Sequence, residues 1–464
     1  MPESGSPCTV SGRLNETGVS LMLAGVRQQP FARSKIATAG VAACVAVAGL
    51  TGCSSDADND GRPARSATDA ATHDATAHAL AAEQLSPVEL RAQLEQLLGH
   101  HAILTVRLTR ARLRGDDDLA QSADEALGKN AADIAAPIGA VYGADAAETF
   151  EQSWVNHVTY LFNYARGIAE DDAAVKSEAR RQLDGYVTEL SDYLAEATHQ
   201  AIPVGVVAEE LRTHVDHLLE QVDAYAAEDY ERAFQLERES YAHMFPLGKA
   251  LAAGIVTGEG TKLPADFASP AGELRSQLGM RLGEHAELAV DAMRSGISNY
   301  PDFSAAAAAL DQNTREITAM IDSVFGAESA RSFQALWADH IDAFVAYTQA
   351  LARQDQAAEG AAQDRLTGFN SEFANFLSTS TDGRLGTAAL ADAFVMHEEM
   401  LLNQINEYAA ADYSTAHQVS FDAYKHMFAL ADQAATAIGA TVKAGSPKGG
   451  AETGGGEIAA NTGE

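Results

Sequence analysis

The sequence predicts an all-α protein built as two tandem antiparallel helical bundles that are related by internal duplication. Three observations lead to this prediction. Alanine is abundant, and apolar residues recur at spacings of three and four, which is the pattern of amphipathic helices. Neither an alternating strand pattern nor an Asn-Gly hairpin signal occurs. The chain also repeats itself over most of its length, which indicates two copies of one folding unit.

The repeat is visible at several points along the chain. The two tryptophans, Trp154 and Trp337, are 183 positions apart, and LGHHA at 98–102 matches LGEHA at 282–286 with an offset of 184. Three further segments keep the offset of 183: VYGADAAETF at 141–150 recurs as VFGAESARSF at 324–333, AYAAEDY at 224–230 as EYAAADY at 407–413, and YAHMF at 241–245 as YKHMF at 424–428.

Each unit is predicted to contain six helices, with glycines and prolines near the breaks. In the first unit we expect helices near 88–113, 117–141, 145–168, 172–198, 205–226 and 228–250. In the second unit we expect them near 272–296, 301–324, 328–352, 355–380, 387–409 and 411–438.

The boundaries of the two units follow from composition. The first bundle is predicted at 87–253 and the second at 271–440. Residues 254–270 are rich in glycine and proline and are predicted to be a linker. The Gly-rich residues 441–464 are predicted to be a disordered tail. The sequence leaves open whether the two bundles pack together.

The N-terminal region indicates where the protein functions. An apolar run from Ile36 to Leu50 follows a basic segment and is short for a membrane span, so residues 1–52 are predicted to be a signal peptide. Met22 as the start would leave a leader of more usual length. The run closes on Leu50-Thr51-Gly52-Cys53, which resembles the bacterial lipobox and implies lipidation of Cys53. Residues 53–86, poor in large apolar side chains, are predicted to be a disordered tether. We therefore expect a protein anchored at the extracytoplasmic face of a bacterial cell membrane.

The charge and the cysteine content exclude several classes of function. The formal net charge of -33 would repel a phosphate backbone, so we expect no nucleic-acid partner. The three cysteines all lie within the first 53 residues. The rest of the chain therefore has no thiolate zinc site, iron–sulfur cluster or cysteine nucleophile.

Four pairs of histidines follow the repeat. Each member of a unit lies on a different predicted helix, within a stripe of apolar residues, so all four are expected to face the core of their bundle. The pairs are His101 with His285, His157 with His340, His214 with His397, and His243 with His426.

Buried imidazoles need partners, because an unpaired buried polar group costs about 1–3 kcal/mol. A transition metal ion would satisfy several imidazoles at once, and neutral imidazole suits copper, zinc, nickel and iron. We expect the four histidines of each unit to bind such an ion, with copper favoured, zinc or iron as alternatives, and non-covalent haem as a weaker one. The expected residues around the ion are Tyr164, Tyr241, Met244, Tyr347, Tyr424 and Met427.

The competing interpretation is that these histidines only pack, each bonded to a tyrosine hydroxyl or a backbone carbonyl. The protein would then be a non-catalytic envelope protein whose bundles bind a protein or a cell-wall component. The sequence gives no oligomeric state.

Known catalytic motifs are absent: no pair of Glu-x-x-His motifs marks a ferritin-type di-iron site, and there is no His-Glu-x-x-His, Gly-x-Ser-x-Gly, Walker loop or dinucleotide fingerprint. We therefore expect a binding protein rather than an enzyme and assign no catalytic residue. The His/Tyr pattern, with the ADY and Y-x-H-M-F segments, resembles helical modules of Gram-positive secreted proteins with copper-amine-oxidase-like names. The resemblance defines no known site, and nothing here would form the quinone site of an amine oxidase.

Overall fold

The computed structural model describes residues 85–445, which form twelve α-helices and, within that range, no β-strand. The prediction of an all-α helical bundle protein is confirmed. The first six helices are α1 (Pro87–Arg114), α2 (Asp117–Tyr142), α3 (Ala144–Ala169), α4 (Ala173–Ala197), α5 (Val204–Ala226) and α6 (Tyr230–Gly258). The other six are α7 (Pro270–Ser298), α8 (Phe303–Phe325), α9 (Ala327–Arg353), α10 (Gln356–Ser380), α11 (Thr387–Ala409) and α12 (Tyr413–Gly445).

Local sequence signals fix the ends of α1. Ser86 caps its N-terminus by accepting a hydrogen bond from the Glu89 amide, and the Glu89 carboxylate accepts one from the Ser86 amide in return. Pro87 occupies the first position, where no amide hydrogen is needed. Gly115 ends the helix with a left-handed φ of 76°, which glycine adopts without strain.

Single glycines separate two pairs of helices. Gly143 lies between α2 and α3 with a φ of 90°, and Gly326 lies between α8 and α9 with a φ of 84°. Both values are in the region that favours glycine. Each glycine therefore turns the chain between two helices without a longer loop.

Three of the predicted boundaries differ from the structure. Helix α6 continues to Gly258, five residues into the predicted linker, because Ile255 on its last turns packs into the apolar core. Phe267, also in the predicted linker, is buried in the same core. Helix α12 extends to Gly445, into the predicted tail. At the other end Leu85, the last but one residue of the predicted tether, packs against the core.

Each half is arranged around one central helix. Helix α1 contacts α2, α3, α5 and α6, and α7 contacts α8, α9, α11 and α12 in the same way. Between Leu97 and Ala111 every side chain of α1 is buried, so neighbours surround this helix on all sides. Residues near the middle of α1 are therefore the ones that side chains from several other helices can reach.

The two halves pack together. Leu104 and Phe234 from the first half share one apolar core with Val290 and Ile405 from the second. All described residues belong to a single compact unit. The question that the sequence left open is thus answered: the bundles share a core.

Candidate metal centre

Three of the predicted histidines meet in the first half. His101 lies on α1, His157 on α3 and His214 on α5, and each offers one ring nitrogen to a group whose members lie within 4.8 Å of one another. The three side chains have 0% exposure. We call these three residues the first histidine cluster.

Apolar stripes bring these rings inwards. On α3, Trp154 and Leu161 lie one turn before and one turn after the histidine and are buried, as the spacing predicts. On α5, Leu211 and Leu218 do the same. Each histidine is held inside the bundle because the apolar residues on its own stripe are buried there.

Hydrogen bonds order two of the three rings. The indole Nε1–H of Trp154 donates to Nδ1 of His101 at 3.2 Å. A neutral His101 then carries its proton on Nε2, which donates to Nε2 of His157 at 3.0 Å. Both ring nitrogens of His214 are buried and lack a hydrogen-bond partner among the described residues. The ring of His214 lies 5.8 Å from that of His101, centroid to centroid.

The environment keeps the cluster uncharged. Burial lowers the pKa of His101 and of His214 well below 6.5, and neighbouring imidazoles lower both further. Burial also lowers the pKa of His157, to about 3, although the backbone of Trp154 opposes this shift. All three imidazoles are thus neutral at physiological pH, which is the form that donates a lone pair to a metal ion.

The fourth predicted histidine of each half lies outside the group. His243 is only half-buried, and its Nε2–H donates to the backbone carbonyl of Glu210 at 2.9 Å. His426 is half-buried as well, and its Nε2–H donates to the carbonyl of Ala393 at 2.8 Å. Both rings lie at the edge of their bundle's core, where each reaches a neighbouring backbone carbonyl.

The corresponding histidines of the second half are buried but more loosely arranged. The ring of His285 lies 5.4 Å from that of His340 and 6.4 Å from that of His397. Within residues 85–445, their ring nitrogens do not form a group as close as the first cluster. Both nitrogens of His285 and of His397, and Nε1 of Trp337, lack a hydrogen-bond partner there.

The tyrosines expected around the ion bond elsewhere. The Tyr164 hydroxyl donates to the Asp223 carboxylate at 2.9 Å, and the Tyr347 hydroxyl donates to the Asn406 side chain at 3.1 Å. The hydroxyls of Tyr241 and Tyr424 lie 3.3 Å from each other. They donate to the backbone carbonyls of Met280 and Gln96, respectively.

The two methionines, Met244 and Met427, are buried in the apolar cores that contain Trp154 and Trp337, respectively. Both thioethers are therefore packed among apolar side chains.

One neighbour of the cluster was not predicted from the sequence. The ring of Tyr186, on α4, stacks on His157 with centroids 4.5 Å apart, and its buried hydroxyl has no hydrogen-bond partner in the described range. Leu183 and Leu190 lie on the same buried stripe, and this periodicity could have identified Tyr186 as an inward residue. Phe369 stacks in the same way on His340, at 4.5 Å.

The proposed lipidation site, Cys53, lies outside the described residues. No helix in residues 85–445 is long and apolar enough to span a membrane. Comparison of the chain with models of protein families, with curated proteins and with solved structures gave no match.

Proposed function

We propose that this protein is a lipid-anchored, extracytoplasmic metal-binding protein and that the first histidine cluster is its metal site. The ion is a transition metal, copper in the first place and zinc or iron otherwise, bound for sequestration, delivery or redox use. One observation carries the proposal. Both ring nitrogens of His214 are buried beside the rings of His101 and His157, without a hydrogen-bond partner in the described residues.

An ion would remove an energetic cost. Leaving the His214 ring without a partner costs about 1–3 kcal/mol. Three imidazoles bound to one ion at about 2.0–2.1 Å would place their nitrogens roughly 3.4 Å apart. The nitrogens lie within 4.8 Å of one another, so movements of about 1 Å would close the site.

Binding requires His101 to change tautomer. To ligate through Nε2, this ring must carry its proton on Nδ1, where it now accepts the hydrogen bond from Trp154. It must also release the hydrogen bond to His157. The indole N–H of Trp154 and the new Nδ1–H then both lack an acceptor, at about 1–3 kcal/mol each, which the coordination of an ion exceeds.

The donor set supports copper and a transfer role. All three donors are neutral imidazole nitrogens. Among the divalent first-row metal ions, Cu²⁺ binds such sites most tightly. Three protein ligands leave one tetrahedral position open, as in sites that exchange a ligand. An open position suits an ion that is passed to another molecule.

Trp154 provides a direct test, since its ring centroid lies 4.7 Å from that of His101 and 4.8 Å from that of His157. Trp337→Phe leaves Trp154 as the only tryptophan. Titration of this untagged variant with Cu²⁺ should quench the Trp154 fluorescence and reach saturation at about one equivalent per chain in the first cluster. Equilibrium dialysis should give the same stoichiometry for the tight site.

Two further variants complete the test, both in the Trp337→Phe background. His214→Leu should lower the Cu²⁺ affinity by 100-fold or more, because it removes one of three ligands. His199→Asn should leave the affinity unchanged, since His199 is exposed and its φ of 50° is one that asparagine accepts. Quenching that persists in His214→Leu would contradict the proposal.

A second candidate function rests on a specific observation. Hydrogen bonds connect Trp154, His101 and His157 in a chain, which leaves only Nδ1 of His157 without a partner among the described residues, and such a chain can serve packing alone. The protein would then be a non-catalytic envelope protein that presents its bundles to a protein or a cell-wall component. In that case His214→Leu should stabilise the fold, and less than 0.1 equivalent of any transition metal should bind.

The anchor is a separate part of the proposal, supported by the lipobox-like Leu50-Thr51-Gly52-Cys53 segment. In a bacterial host that lipidates its own lipoproteins, the full chain should fractionate with the membrane. Cys53→Ser should move most of it to the soluble fraction, because the thioether cannot form. Gly52→Ala, which keeps a small residue before the cysteine, should leave it in the membrane. If Cys53→Ser fractionates like the unchanged chain, the anchor is not at this cysteine.

A further inference from the structure

A small cavity lies where the two halves meet. Its volume is about 30 Å³, and side chains from α1, α7, α11 and α12 line it. A cavity of this size holds a single small molecule or ion. Four arginines contribute to its walls: Arg107, Arg110, Arg114 and Arg294.

Three of these arginines have a carboxyl group of the protein within 3 Å. The pairs are Arg107 with Asp291 at 2.8 Å, Arg110 with Glu237 at 2.8 Å, and Arg114 with Asp116 at 2.9 Å.

Arg294 is the exception. Its Nε–H donates to the side-chain oxygen of Gln404 at 3.1 Å, and Nη2 donates to the backbone carbonyl of Ala416 at 3.0 Å. No carboxylate of the described residues forms an ion pair with it, although its side chain is only 6% exposed. Burial, together with the charge of Arg107, lowers the pKa of Arg294 to about 10. A buried cation without a counter-ion is costly, and here the cavity lies beside it.

Two further nitrogens on the cavity wall lack partners. Nε of Arg110 and Nε2 of His417 are buried and form no hydrogen bond within the described part of the chain. The Ser122 hydroxyl, 2.8 Å from Nδ1 of His417, can donate to it, so that Nε2 carries the ring proton. Both nitrogens are then donors, as anion recognition requires.

The two carboxylates on the wall are already engaged. Asp291 is paired with Arg107, although its second oxygen has no partner among the described residues. Asp302 accepts hydrogen bonds from the hydroxyls of Tyr225 at 2.8 Å and Ser295 at 2.7 Å. Neither of them forms an ion pair with Arg294, although the charge of Asp291 attracts it.

We propose that this cavity binds one small monovalent anion of the halide class, with chloride as the natural ligand, as the counter-ion of Arg294. The anion would accept hydrogen bonds from the unpartnered N–H groups and would join the two halves. This proposal is independent of the metal site.

The test compares thermal unfolding of the full chain in sodium chloride, sodium bromide and sodium gluconate at one ionic strength, with EDTA present. Gluconate is too large for the cavity. Chloride and bromide should raise the unfolding midpoint by about 2 °C or more over gluconate, because a ligand of the folded state stabilises it. The protein should also broaden the ³⁵Cl NMR line, and bromide should reverse the broadening.

A nearly isosteric substitution can supply a carboxylate of the protein itself as the counter-ion of Arg294. Gln404→Glu places a carboxylate against Arg294, so the difference between chloride and gluconate should disappear. Arg294→Gln removes the charge and should abolish the difference as well. Arg315→Gln, at an exposed arginine, should keep it. Equal midpoints in all three salts for the unchanged protein would mean that the cavity holds only water. A chloride effect that survives in Gln404→Glu would overturn the proposal too.

Discussion

Glu237 illustrates how a single buried side chain links the two halves. It lies on α6 in the first half, is 3% exposed, and contacts Arg110. Burial raises the pKa of Glu237 to about 8. The charge of Arg110 opposes this shift, whereas the charge of the nearby Asp291, in the second half, adds to it. At neutral pH the folded protein therefore keeps a proton on this carboxyl group.

This proton predicts a dependence of stability on pH. Between about pH 4.5 and pH 8 the unfolded chain has released a proton that the folded protein still holds. The contribution of Glu237 to the free energy of unfolding must therefore fall as the pH rises, by at most about 1.4 kcal/mol per pH unit. The glutamine of Glu237→Gln does not titrate. The free energy of unfolding of this variant, measured with urea, should therefore fall less between pH 5 and pH 8 than that of the unchanged protein, by a difference on the order of 1–3 kcal/mol. Glu125→Gln, at an exposed position, should behave like the unchanged protein.

At the same scale, the sequence predicted part of the site. Spacing placed His101, His157 and His214 on inward stripes, and their rings meet. Spacing placed His243 inward as well, but this side chain reaches the Glu210 carbonyl instead. A stripe gives the approximate direction of a side chain, whereas the height and the rotation of each helix decide which rings meet.

Among the helices, two close approaches depend on glycine. A Cβ atom at Gly99 on α1 would lie 2.7 Å from the Tyr424 hydroxyl oxygen and 2.8 Å from the Tyr241 ring. At Gly283 on α7, it would lie 2.8 Å from the Tyr424 ring and 2.9 Å from the Tyr241 hydroxyl oxygen. The two tyrosines thus fill the space that the glycines leave between α1 and α7.

Gly99→Ala tests this packing. The added methyl group would clash with two buried rings, and overpacking of this kind costs about 1–3 kcal/mol. The better helix propensity of alanine returns up to about 1 kcal/mol. Urea unfolding should show a net destabilisation of about 1–2 kcal/mol. At Gly128, exposed on α2, a Cβ atom meets nothing within 4 Å, so Gly128→Ala should stabilise instead. Stabilisation by both substitutions would show that the space at Gly99 is not filled as described.

Local signals made the helices themselves largely predictable. Ser86, Pro87 and Gly115 mark the ends of α1, and the single glycine Gly143 gives the break between α2 and α3. The prediction failed at the end of α6, where the glycine and proline content of residues 254–270 suggested a linker. The helix continues there because Ile255 is buried in the apolar core of the first half. Tertiary packing decided that boundary, and packing partners distant in the chain cannot be read from a local pattern.

For the whole molecule, the association of the halves was beyond the reach of the sequence. Arg107 pairs with Glu287 at 2.7 Å and with Asp291 at 2.8 Å, and all three are buried at the junction. Charged residues on a helix ordinarily indicate a solvated face, so these positions gave no sign of an interface. Spacing within one helix cannot show that its charges are matched by charges on another helix about 180 residues away.

The complete burial of the first histidine cluster also has a kinetic consequence. Since the rings of His101, His157 and His214 have no exposed surface, an ion can reach or leave them only while the surrounding helices are transiently apart. The frequency of that opening, rather than diffusion, would then limit exchange with the outside. The ion would then dissociate slowly from such a site, and its release would require contact with another molecule that separates the helices.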